Sequence, residues 1–196
     1  MLLNTLLKNY KVILGSGSPR RKELLSSMDI AFEQRVKEVN EDILPKWKTE
    51  EVAQKLAERK ALAQQNDLKN NEILLTSDTV VLIENQILNK PQDADEAKEM
   101  LSLLSDKKHL VITGVCICTK DKLHSFSDTT EVFFKEFSEE EIDYYIQNYK
   151  PYDKAGSYGA QEWLGMVGVE KIKGSYFNVM GLPVHKLYQE WVNFLA

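Results

Sequence analysis

Cysteine is nearly absent from this chain: of 196 residues only Cys116 and Cys118 carry thiols. Two thiols spaced C-x-C inside the apolar run LVITGVCIC provide no disulfide framework, and alternate residues of a strand share a face, so they read as small core residues. Histidine is scarce too. His109, His124 and His185 show no metal-ligand spacing, which argues against a zinc site. Long apolar runs are missing, and the opening MLLNTLLKNYK lacks the basic segment, apolar core and cleavage site of a secretory signal, so a cytoplasmic protein is expected. Positive charge is in deficit: 25 Lys and Arg against 30 Asp and Glu give a net charge of -5. That balance argues against wholesale electrostatic binding to a nucleic-acid polymer or an anionic membrane, and any polyanion must be met by a local basic pocket. Repeats, low-complexity tracts and linkers are also lacking. At 43% hydrophobic and 28% charged residues, positions 1–196 are most economically one domain. Finally, G-x-x-x-x-G-K-[ST] does not occur and GSGSPRR fails G-x-G-x-x-G at its last position, which removes most support for kinase and dehydrogenase readings.

What is present begins with VILGSGSPRRKELL, residues 12–25. Val12 to Leu14 read as a buried strand, Gly15 to Gly17 as a tight loop, and Ser18-Pro19 as an N-cap followed by proline at the first helical position. Arg20 and Arg21 then occupy the first turn, where the positive end of the helix dipole disfavours cations. Arg21, Leu24, Leu25 and Met28 also share one helix face, so a guanidinium lies on the stripe that should turn inward. It needs a partner. Either an acid elsewhere supplies a salt bridge, or an anion such as phosphate is held by the helix N-terminus, Ser16 and Ser18 of the loop, and both arginines.

Further along, helices are expected over 50–65 with Thr49 as N-cap, over QDADEAKEMLSLL with Asp93 and Glu96 at capping-box spacing, over SEEEIDYYIQNY with Ser138 and Glu141, and over GLPVHKLYQEWVNFL. EILLTSDTVVLI reads as a buried strand or an interrupted pair, and HLVITGVCICT and TTEVFFKEF as strands joined by a hairpin near Asp121. The order implies an α/β or α+β layout with helices on a mixed sheet. The stretch 153–181 holds six of the nine glycines and reads as an irregular, loop-built segment.

Several residues conflict with burial. Asp78 interrupts an apolar run, where a carboxylate persists only with hydrogen bonds, a cation or a metal; capping of local backbone is the alternative. Lys60 lies on a helix face with Val52, Leu56 and Ala63, either snorkelling to water or paired. Lys90 in LNKPQD and Lys154 in YDKAGSYG are loop lysines, either of which can be solvated. Glu41, in EVNED, joins Asp78 as a candidate ligand for a divalent ion shared with a substrate phosphate. Cations on buried faces plus a buried acid, in a net acidic chain, favour a polyphosphate with a divalent metal.

These residues carry a resemblance. GSGSPRRKELL, SDTVV, NKPQDADEAKEML, KAGSYGAQ and GSYFNVMGLPVHKL, in this order and spacing, resemble the Maf family of nucleoside triphosphate pyrophosphatases, from about Lys11 to the final helix. The resemblance implies an α/β fold with a mixed sheet flanked by helices and two lobes around a central cleft, akin to the inosine triphosphate pyrophosphatases. It implies hydrolysis of nucleoside triphosphates to monophosphate and pyrophosphate with a divalent cation, Mg or Mn, in the cytoplasm. Asp78 matches the family's catalytic acid and, with Glu41, its metal-binding acids. Arg21, Lys60 and Lys90 match its phosphate-binding cations, and Arg20, Thr79 and Gln161 its base-selecting positions; Ser16, Ser18 and Lys154 complete the expected substrate contacts. KAGSYGAQ is similar to the branch acting on dTTP and UTP, whose shared N3–H and O4 edge suits the donor and acceptor of Gln161. Gly15, Ser77 and Asn89 depart from the usual pattern. A homodimer is left open, and the alternative implied by the family's association with septum formation is a non-catalytic nucleotide-binding regulator of cell division.

Overall fold

A computed structural model describes residues 2–196. In chain order its elements are α1 (Leu3–Leu7), β1 (Lys11–Leu14), α2 (Pro19–Ser26), β2 (Phe32–Gln34), a 3-10 turn (Thr49–Glu51), α3 (Val52–Gln65), β3 (Glu72–Ile83), β4 (Gln86–Leu88), α4 (Ala94–Leu104), β5 (Lys108–Cys118), β6 (Leu123–Phe134), α5 (Glu139–Tyr149), a second 3-10 turn (Ala155–Ser157), α6 (Trp163–Gly168), β7 (Val169–Lys173), α7 (Tyr176–Met180) and α8 (Val184–Leu195). The strands form a mixed sheet in the order β2-β1-β3-β5-β6-β7, with β4 beside β3. Contacts divide the chain into two compact units, one of Met1–Asp78, Thr113–Asp128 and Gly181–Ala196, the other of Thr79–Ile112 and Thr129–Met180. Among the described residues no helix is long and apolar enough to cross a membrane.

In the first unit β1 runs parallel to β2, with Val12 opposite Phe32, and to β3, with Val12 opposite Ile73. Val12, Ile13 and Leu14 are all buried, the pattern of a parallel strand covered on both faces. Helix α3 turns Val52, Ala53, Leu56, Ala57 and Ala61 inward. It lies so close to β5 that a Cβ on Gly114 would sit 2.2 Å from the Ala53 carbonyl carbon. Thr49 does not cap this helix as expected; it opens the 3-10 turn, and α3 starts at Val52 without a side-chain cap. Cys116 and Cys118 pack in a core with Ile13, Ala57, Ala61, Leu68 and Leu74. Burial pushes both thiols up, Cys118 to about 12, so they are protonated and inert at neutral pH.

In the second unit β4 pairs antiparallel with β3, and β7 with β6, where the register shifts between Phe133 and Phe134. Helices α4 and α5 bury Met100, Leu101, Leu104, Ile142, Tyr145 and Ile146 in one cluster. Both halves of the Ser138–Glu141 capping box form. At α4, Asp93 accepts from Glu96 N–H, but the Glu96 carboxylate accepts from Gln92 N–H instead of closing the box. The glycine-rich stretch 153–181 is more regular than its composition suggests, holding a 3-10 turn, α6, β7 and α7. Part of its glycine serves close packing: a Cβ on Gly165, inside α6, would lie 2.3 Å from the Ala160 carbonyl oxygen.

Candidate functional site

The register of α3 on β3 builds the first constellation. Thr76 Oγ donates to the Ala57 carbonyl at 2.7 Å, pinning strand to helix. Two residues on along the strand, on the same face, is Asp78; one turn on along the helix is Lys60. Lys60 Nζ consequently meets Asp78 Oδ1, and it also lies 2.7 Å from Glu41 Oε1. The Lys60 and Asp78 side chains are only 14% and 13% exposed, so the ammonium does not snorkel to water but joins two carboxylates. Among the described residues there is no group of three or more His, Cys, Asp or Glu side chains able to hold a metal. Asp78 and Glu41 are the two carboxylates here that could hold a divalent cation, for which oxygen donors are suited.

Arg21 is half-buried in the same unit, on the face of α2 that buries Leu24 and Leu25. Its Nε donates to the Gly181 carbonyl at 2.9 Å and its Nη1 to Ser16 Oγ at 3.2 Å. Ser77 Oγ donates to that same Gly181 carbonyl at 3.3 Å, and Gln34 Nε2 holds the Ser16 carbonyl at 2.7 Å. Burial lowers the guanidinium pKa; Asp78 and Glu41 oppose that effect, while neighbouring Arg20 adds to it. Arg21 thus senses the two carboxylates that Lys60 binds. Ser18 occupies the N-cap position of α2, but its side chain makes no capping bond, contrary to expectation. Its N–H instead approaches Ser16 Oγ at 3.3 Å, and the first turn of α2 has no side-chain cap.

The second unit carries the remaining candidates. Thr79 is half-buried directly after Asp78, and Lys90 is exposed in the loop after β4, where the Asn89 carbonyl accepts from Gly156 N–H at 3.2 Å. Lys154 is buried, with Nζ 2.7 Å from Asp153 Oδ1 and 3.0 Å from Glu162 Oε1, so it is not a solvated loop lysine. Glu162 Oε2 accepts from the Tyr145 hydroxyl. Gln161 Oε1 is buried without a hydrogen-bond partner.

A family profile described as Maf-like protein matches residues 11–194. The chain belongs to the Maf family. A protein of Flavobacterium johnsoniae named dTTP/UTP pyrophosphatase is 50% identical over 188 residues, covering 96% of this chain and 97% of its own. Relatives of the same name from Porphyromonas gingivalis, 50% identical with 96% of each chain covered, and Phocaeicola vulgatus, 52% identical with 94% and 96% covered, are similar to the same extent. Two of the departures from the usual Maf pattern have local reasons: a Cβ at position 15 would meet Thr76 Cγ2 at 2.7 Å and Gln64 Nε2 at 3.1 Å, and Ser77 anchors Gly181. Asn89 bonds its loop only through its backbone carbonyl, and nothing in the structure explains its side chain. Gly181, Gln34, Tyr145 and Glu162 escaped the sequence reading. Gly181 acts through a carbonyl, which no side-chain pattern reveals, whereas Glu162, an acid directly after Gln161 in a largely apolar stretch, did leave a signal.

Proposed function

We propose that this Maf protein hydrolyses dTTP and UTP, or modified pyrimidine nucleotides with the same base edge, to the nucleoside monophosphate and pyrophosphate. The names of relatives sharing about half its residues support the reaction. The observation that carries the chemistry is the meeting of Lys60 with Asp78 and Glu41, in the field of Arg21.

Asp78 takes a proton from the attacking water, whose oxygen bonds to the α-phosphorus; the bond from that phosphorus to the bridging oxygen breaks, and pyrophosphate leaves with the electron pair. Arg21, Lys60 and Lys90 bind phosphate oxygens as negative charge moves toward the leaving group. Ser16, Ser18 and the first-turn amides of α2 add neutral donors. A divalent cation, Mg²⁺ or Mn²⁺, held by Asp78 and Glu41 would neutralise triphosphate charge. Arg20, Thr79 and Gln161 read the base; the unpartnered Gln161 Oε1 suits the N3–H of uracil or thymine. Lys154 contributes from its place between Asp153 and Glu162. The net charge of -5 suits a free nucleotide of the cytoplasm as substrate rather than a polymer or membrane.

The test is a nucleotide panel of dTTP, UTP, CTP, dATP, GTP and 7-methyl-GTP with Mg²⁺ or Mn²⁺, resolving monophosphate and pyrophosphate. Pyrophosphate release concentrated on dTTP and UTP is expected. No turnover of any nucleotide by folded protein would overturn the reading in favour of a binding regulator.

A further inference from the structure

Glu162 sits at the N-cap position of α6 with an extended backbone, yet its carboxylate caps nothing. A side-chain oxygen at that position ordinarily turns back onto first-turn amides. Here both oxygens are drawn elsewhere, Oε2 to the Tyr145 hydroxyl and Oε1 to Lys154 Nζ at 3.0 Å. The Tyr145 oxygen also accepts from Gly159 N–H at 3.1 Å, and Glu162 N–H donates to the Gly159 carbonyl at 3.0 Å.

Residues 159–162 therefore form a four-residue turn whose ends are tied twice, once by its own backbone bond and once through the tyrosine hydroxyl. Little slack remains. A Cβ on Gly159 would lie 2.9 Å from Glu162 Cδ, and one on Gly165 would strike the Ala160 carbonyl. Gln161 is the third residue of this turn, and its buried Oε1 lacks a partner within the protein.

A carboxamide reads a base edge only if it is held. Turned over, the same glutamine offers its donor and acceptor in reverse order, which suits the N3 and N4 edge of cytosine as well as the unreversed order suits N3–H and O4 of uracil. We infer that Tyr145 and Glu162, with Lys154 as counter-ion, are positioning residues that aim Gln161, so that discrimination of uracil and thymine from cytosine depends on side chains that act through the turn. The inference rests on the base-reading role proposed for Gln161.

The test compares kcat/KM for UTP and CTP, together with the affinities for UMP and CMP as a readout independent of turnover, in Tyr145→Phe, Glu162→Gln and Gln161→Ala, with thermal unfolding to verify each fold. Tyr145→Phe is expected to lower the UTP to CTP ratio about tenfold, within the range set by misplacing one specific contact. Glu162→Gln lowers it in the same direction by removing the charge that Tyr145 and Lys154 share, while Asp153 still holds Lys154. In a Gln161→Ala background the Tyr145→Phe change should alter the ratio less than about twofold, because contacts acting through one group do not add. A folded Tyr145→Phe protein that loses UTP and CTP activity by the same factor assigns the hydroxyl to stability alone and overturns the inference. Should that variant not fold, an unchanged ratio in Glu162→Gln overturns it equally. If Gln161→Ala itself leaves the ratio unchanged, the base-reading role fails first; if Gln161→Ala lowers the ratio and the clamp variants do not, only the positioning role fails.

Discussion

A lysine on a helix face shared with Val52, Leu56 and Ala63 can satisfy its charge by reaching water or by meeting acids, and Lys60 meets two. The consequence falls on Asp78, whose carboxylate is held by an ammonium at the place where a water and a triphosphate are proposed to react. Asp78→Asn keeps the volume and one acceptor oxygen but removes the charge and the capacity to take a proton. Its kcat on UTP is expected to fall by about 10²–10⁴, the usual range for losing a general base, with unfolding still cooperative. A folded variant of near-normal turnover would remove Asp78 from the mechanism. Arg21 is tested differently. Its fork spans the Gly181 carbonyl and Ser16 Oγ, a geometry that an ammonium lacks, so Arg21→Lys keeps the charge and loses the hold. The expected result is a fall in kcat/KM of about tenfold or more, within the range for a misplaced positioning group; unchanged kinetics would show that charge alone suffices there.

Elements transmit these placements, and the contact between α3 and β5 is the tightest case. Because a Cβ at position 114 would lie 2.2 Å from the Ala53 carbonyl carbon and 2.3 Å from Gln54 N, Gly114→Ala must push α3 outward. Overpacking of this kind costs about 1–3 kcal/mol. The shift also carries Lys60, so thermal unfolding should drop and UTP turnover should fall with it; unaltered stability would mean that the helix relaxes without strain. Much of this layer was legible in sequence, because strands β1 and β3 announce themselves as apolar runs and α5 by its capping box. Asp78 and Lys60 stood out for the same reason, as charges that such patterns do not accommodate. What was not legible depends on tertiary contact. Thr49 carries an N-cap residue type but opens a 3-10 turn, and glycine at 165 signals a helix pressed on the Ala160 carbonyl rather than a loop. Lys154 read as a loop lysine because its partner Glu162 acquires meaning only when Tyr145 is placed beside it.

At the scale of the whole molecule, acid acts on a different group in each unit. Glu72 in the first is hydrogen-bonded by Arg35 and held at about 2, so its contribution to stability is complete above about 4.5 and is lost as pH falls through 2. His109 in the second is buried beside Phe134 and Tyr158, its Nε2 2.7 Å from the Tyr158 hydroxyl, and burial lowers its pKa to about 3. For this histidine the sign runs through the unfolded chain, where it protonates near 6.5 while the folded imidazole stays neutral. Between pH 6.5 and 3 the unfolded state therefore binds one proton more, and stability falls by about 1.4 kcal/mol per unit as pH drops. At pH 5 the loss is roughly 2 kcal/mol, a large share of the 5–15 kcal/mol typical of a domain, and it precedes any loss from Glu72. Urea unfolding at pH 7.5, 6 and 5 should show this decline in the parent protein and a shallower one in His109→Gln, whatever offset the substitution brings at pH 7.5. Hydrogen exchange at pH 5 should find the lost protection in β5, β6 and the 3-10 turn before Tyr158. Parallel pH profiles for parent and variant would show that folded His109 takes up its proton over the same range as the unfolded chain, and would move the acid sensitivity to another group.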